Sequence, residues 1–63
     1  MAQVTLKDII LDAYAQALLA ARQKGLSGDA AKSAARSAAA RVVAKATGKA
    51  VTPEIVAKAL SHD

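Results

Sequence analysis

The stretch Asp29-Ala30-Ala31-Lys32-Ser33-Ala34-Ala35-Arg36-Ser37-Ala38-Ala39-Ala40-Arg41-Val42-Val43-Ala44-Lys45-Ala46 decides the fold. Nine of these eighteen residues are alanine, and among them stand Lys32, Ser33, Arg36, Ser37, Arg41 and Lys45. Alanine loses no side-chain entropy when a helix forms, so the segment predicts a long helix. Its small side chains also let another surface approach the backbone closely. A smooth, cationic helix points to contact with something flat, negative or itself helical.

Working outward, the flanking residues punctuate this helix and define two more. Ser27 is placed to cap its start, Asp29 puts a carboxylate at its positive end, and Gly48 stops it after Thr47. Upstream, Thr5 and Asp8 have the spacing of a capping box, with Val4 and Ile9 set to form a hydrophobic staple. The helix they open runs to about Lys24, where Gly25 supplies the left-handed residue and Leu26 the apolar closing contact. Downstream, Val51-Thr52-Pro53-Glu54 reads as a cap at Thr52, proline at the first helical position, and a staple from Val51 to Val56. The chain is therefore expected to be all-α, a single helical domain over residues 1–63 with helices at about 5–24, 28–47 and 53–61.

Helical spacing assigns faces. In the middle helix Ala31, Ala35, Ala38, Val42 and Ala46 form one stripe, with Ala39 and Val43 at its edge, and this is the expected core face. A second stripe holds Ser33, Ser37, Ala40 and Ala44, flanked by Lys32 and Arg36 on one side and by Arg41 and Lys45 on the other. Three readings of that stripe stay open. It is a phosphate-contacting face, a low-relief seam for another helix, or a solvated surface. The first helix is wet only along Asp8, Asp12, Gln16 and Gln23, so it is expected to be covered from two sides. The third offers Ile55, Val56, Ala59 and Leu60 as one patch.

The bulk properties set bounds. Alanine supplies 18 of the hydrophobic residues, and Tyr14, expected to be buried, is the sole aromatic in 63 residues. A chain of this size buries roughly 60% of the surface its unfolded form exposes, so self-association, as a homodimer, is a natural way to add burial. There is no cysteine, hence neither a disulfide framework nor a thiolate metal site. The net charge of +4 and pI near 9.9 favour anionic partners. No secretory signal or membrane span fits the pattern, which makes the cytoplasm the expected location.

Catalytic chemistry is not indicated. Ser61-His62-Asp63 has the letters of a triad, but consecutive residues at a chain end cannot hold triad geometry. His62 has no clustered partner, so no metal is expected. Asp8 and Asp12 stand one turn apart, with Asp8 assigned to capping. Gly25 and Gly28 serve a helix end and a helix start rather than a phosphate loop. No enzyme activity, small-molecule substrate or cofactor is expected.

Ala21-Arg22-Gln23-Lys24-Gly25-Leu26-Ser27 resembles the turn of a helix-turn-helix: alanine, three residues, then glycine, an aliphatic residue and serine. That resemblance implies that Leu26 plugs the core between two helices. It also implies that Gly28, Lys32, Ser33 and Arg36 lie near a DNA groove. Gly25-Leu26-Ser27-Gly28-Asp29-Ala30-Ala31 through Lys45 is similar to the N-terminal hairpin of the HU/IHF-type histone-like proteins, which are dimers. Those proteins continue into a β-sheet with DNA-embracing arms, whereas this chain turns into a third helix. Gly48 to Leu60 faintly resembles the last loop and helix of histone folds, although the first helix here is too long and the middle one too short for that fold.

The leading expectation is a small, basic, non-enzymatic protein binding duplex DNA, mainly at the phosphate backbone. Lys32, Arg36, Arg41, Lys45 and Lys49 would contact phosphates, with Ser33 and Ser37 nearest the backbone. The alternative is a protein-interaction or self-assembly module, natural or designed, built on the alanine-rich seam of the middle helix. A membrane-surface role ranks third, since alanine and valine make a poor anchor.

Overall fold

A computed structural model gives the structure of residues 5–61. Three helices follow in order: α1 (Leu6–Gln23), α2 (Gly28–Thr47) and α3 (Pro53–Ser61). The fold is an all-α, three-helix domain in which α1 and α2 form an antiparallel hairpin. Helix α3 runs back along α2, so that its last turn reaches the level of Lys32 and Arg36. Val4, His62 and Asp63 lie outside the described residues.

The ends of the helices are fixed by local chemistry. At the start of α1 the Thr5 hydroxyl accepts from the Asp8 N–H at 3.2 Å, while the Thr5 N–H donates to Asp8 Oδ2 at 3.3 Å. Two orphan amides are thereby satisfied in the reciprocal manner of a capping box. At its end the Leu26 N–H donates to the Ala21 carbonyl at 3.1 Å and the Gly25 N–H to the Arg22 carbonyl at 3.0 Å. With Gly25 at φ 95°, this is a Schellman closure, which turns the chain back toward α1. Helix α2 stops at Gly48, whose N–H donates to the Ala44 carbonyl at 2.9 Å. Helix α3 opens with the Ile55 N–H donating to Thr52 Oγ1 at 3.2 Å.

One expected cap is absent. Ser27 occupies the N-cap position of α2, yet its hydroxyl makes no capping hydrogen bond. Gly28, the first residue of α2, has φ 58°, so the chain enters the helix through a left-handed residue rather than with the regular geometry of a serine cap.

The core is small. Ile10, Ala39, Ala40, Val43 and Val56 form the central cluster, and Ile9, Ala13, Tyr14, Val51, Ala59 and Leu60 pack around it half-buried. Val51 and Val56 thus both reach the core at the start of α3. Ile55 stays exposed beside Leu6 in an open groove of about 330 Å³, shared with Lys7, Ile10, Lys58 and Ala59. Helix α1 is less covered than its composition predicts: only Ile10 and Ala21 are fully buried among its described residues, and Leu19 is 60% exposed.

Burial along α2 follows the i, i+4 rows of the helix surface rather than a stripe parallel to its axis. The row Ala31-Ala35-Ala39-Val43 is buried throughout. The expected core members Ala38, Val42 and Ala46 are exposed instead, Val42 at 57%. A row of this kind rotates by about 40° with each step, which is the course taken by contacts when helices pack ridge into groove. The axis-parallel stripe therefore mixed residues from two different rows.

Candidate nucleic-acid interface

The same row description locates every cation of α2. Ser33, Ser37, Arg41 and Lys45 form one continuous exposed row, opposite the buried one. Lys32, Arg36, Ala40 and Ala44 form the next row, which passes under α3. Along it Lys32 is exposed, Arg36 half-buried, Ala40 buried with Val56 at 3% exposure, and Ala44 half-buried. The sequence stripe Ser33–Ser37–Ala40–Ala44 is therefore not one free face. Its serines are open to solvent and its first alanine belongs to the core.

Two groupings result. Arg41 and Lys45 extend from the outer surface of α2, a turn apart and in line with the two serine hydroxyls. Lys32 and Arg36 stand instead at an open groove of about 340 Å³, lined also by Tyr14 of α1 and by Ala57, Leu60 and Ser61 of α3. Arg36 is half-buried at this groove, and Lys32 beside it is exposed. Tyr14 is half-buried at the wall of the groove rather than enclosed in the core. Neither Tyr14 nor Ser61 was selected by sequence reasoning as a neighbour of the cations. The tyrosine was assigned to the interior, and the approach of Ser61 depends on the direction α3 takes.

Lys49 is exposed in the loop after α2, where its backbone is held. The Thr47 hydroxyl donates to the Val43 carbonyl at 2.7 Å and accepts from the Lys49 N–H at 3.3 Å. Leu26 does not plug the hairpin, as the helix-turn-helix resemblance implies. It is 39% exposed and lines a groove of about 150 Å³ with Ala17, Ala20, Ala34 and Ala38.

The electrostatics are polarised by segment. Between Gly28 and Lys49 there are five cations against the single carboxylate Asp29, a net +4 that equals the charge of the whole chain. The other four cations and four carboxylates cancel. On α1 the carboxylates are engaged locally, Asp8 in the capping box and Asp12 accepting from Gln16 Nε2 at 3.0 Å. Among the described residues no group of three or more acidic or histidine side chains could hold a metal ion. No helix of the described residues is long and apolar enough to cross a membrane. No family model, curated protein or solved structure matches the chain.

Proposed function

We propose that this protein is a non-enzymatic binder of duplex DNA that engages the phosphate backbone through α2 and the loop after it. The observation that carries the reading is the confinement of the entire net charge of +4 to residues 28–49. A polyanion is drawn to such a surface by release of its condensed counterions. The outer row places two small hydroxyl side chains in line with Arg41 and Lys45, so a backbone can come close to the helix while the cations reach its charges. Lys32 and Arg36 lie on the other flank of α2, and a helix seated in a groove about 12 Å wide has phosphates on both sides of it. The turn over residues 21–27 resembles that of helix-turn-helix proteins, in which the start of the second helix enters the groove. Recognition is mostly independent of sequence, because serine and alanine offer little to distinguish base edges.

Charge reversal tests the proposal. Lys32→Glu with Arg36→Glu, and separately Arg41→Glu with Lys45→Glu, should each weaken binding to a labelled duplex by tenfold or more and flatten its salt dependence by about two contacts. Helix content by circular dichroism should be unchanged, since Lys32, Arg41 and Lys45 are exposed and Arg36 is half-buried. Affinity indifferent to both pairs would overturn the reading.

A further inference from the structure

Among the described residues, the side of the α1–α2 hairpin away from α3 is covered by no third helix, and its surface is mostly apolar, with Lys24 at the end near the turn. Ala34 is half-buried there, Ala38, Val42 and Ala46 are exposed, and Ala17, Ala20 and Leu26 complete the groove between the two helices. In place of the seam at Ser37 and Ala40, which the burial of Ala40 removes, we infer that this face binds a second copy of the chain, α1 of one protomer packing on α2 of its partner.

Charge complementarity selects that occupant. The hairpin is antiparallel, with Ile10 at the level of Val43 and Ala20 at the level of Ala34. In that register Asp12 lies at the height of Arg41, and Asp8 at the height of Lys45. On the row that carries Ala20 beside the apolar face, α1 has Asp12 toward one end and Lys24 at the other, and the row of α2 next to Ala38 and Val42 carries Arg41 and Lys45. A two-fold axis parallel to the helices preserves height and exchanges sides, so it sets Asp12 against the partner's Arg41 twice over. All neighbouring helices in the resulting four-helix layer are antiparallel, and small side chains on both partners permit close approach. An 18-residue helix is about 27 Å long and packed helices lie about 9 Å apart. Two such helices side by side present a face of roughly 490 Å², below the ~800 Å² per partner of a standard interface, so the dimer is expected to be weak.

Arg41 and Lys45 belong both to the flank of this face and to the phosphate-contacting row, whereas Lys32, Arg36 and Lys49 lie outside it. Ala38→Glu alters no cation, so it separates failure of the dimer from failure of the DNA reading. Sedimentation equilibrium of the full chain over about 1–200 µM tests the dimer. The expected result is a species of twice the 6.4 kDa chain mass. Ala38→Glu, which would bury an unpaired carboxylate in the interface while staying in water in the monomer, should weaken the dimer about tenfold or more. Should that variant lose its helices, a charge swap keeps the test decisive. Asp12→Arg and Arg41→Asp should each weaken the dimer, and the double variant should restore it. A monomer at every concentration overturns the inference, as does a dimer indifferent to Ala38→Glu and to both single reversals.

Discussion

Two rows on α2 have nearly the same composition and opposite fates. Ala31-Ala35-Ala39-Val43 is sealed between the helices, while Ala34-Ala38-Val42-Ala46, a short rotation away, lies mostly in water. Both rows are three alanines and a valine, so neither hydrophobicity nor helix propensity separates them. What separates them is the position of the other two helices. Helix α1 crosses the first row and α3 closes its far end through Val56. The second meets Ala17, Ala20 and Leu26 across a groove at Ala34 and Ala38, and among the described residues no third helix covers it. In an alanine-rich helix, burial is assigned by tertiary direction, and the unused row is left available for another molecule.

The largest break in this contrast should come from Val56, which is fully buried at the junction of α3 with the first row. Val56→Asp places an unpaired carboxylate in that cluster, and the expected outcome is loss of cooperative thermal unfolding. Retention of a sharp transition near the wild-type midpoint would show that α3 does not close the core. Next come the adjacent valines. Val43→Ala should cost about 2–3 kcal/mol by urea denaturation, from lost burial and an unfilled cavity. Val42→Ala should change stability by less than about 0.5 kcal/mol when measured dilute. Equal costs would erase the distinction between the rows.

Smaller effects sharpen the comparison at the turns that aim the hairpin. Gly25→Ala forces a Cβ into the left-handed region at φ 95° and should destabilise by about 1–2 kcal/mol, with free space around the added atom offering no relief of the backbone strain. Among the caps, Thr5→Ala should cost about 1 kcal/mol, because it removes a hydrogen bond that is made. Ser27→Ala should cost no more than a few tenths, because the Ser27 hydroxyl makes no capping bond. A Ser27→Ala penalty as large as that of Thr5→Ala would mean that this cap does form in solution.

These cases also mark what sequence could and could not reveal. The all-α class and the helix bounds were legible because caps, proline and glycine act within a few residues. Thr5 with Asp8, Gly25 with Leu26, and Thr52 with Pro53 each specify their own turn. The burial of Ala39 and Val43 rather than Ala38 and Val42 was not legible, because it depends on the direction in which α1 crosses. Tyr14, expected to be buried, packs against the core but is only half-buried, for a related reason. Being the one aromatic residue makes it a natural core candidate, but the groove wall beside Arg36 exists only once α3 has folded back. The cations of the candidate interface were all visible as residues. Their division into an outer row and a groove pair required the third helix.

The most direct test of the central claim is a fluorescence-anisotropy titration of a labelled DNA duplex at about 50 and 200 mM salt. Three to five phosphate contacts from residues 28–49 should lower affinity by about 40- to 500-fold between those conditions. Binding that does not respond to salt, or none at tens of micromolar in the lower salt, would contradict a phosphate-binding role for α2.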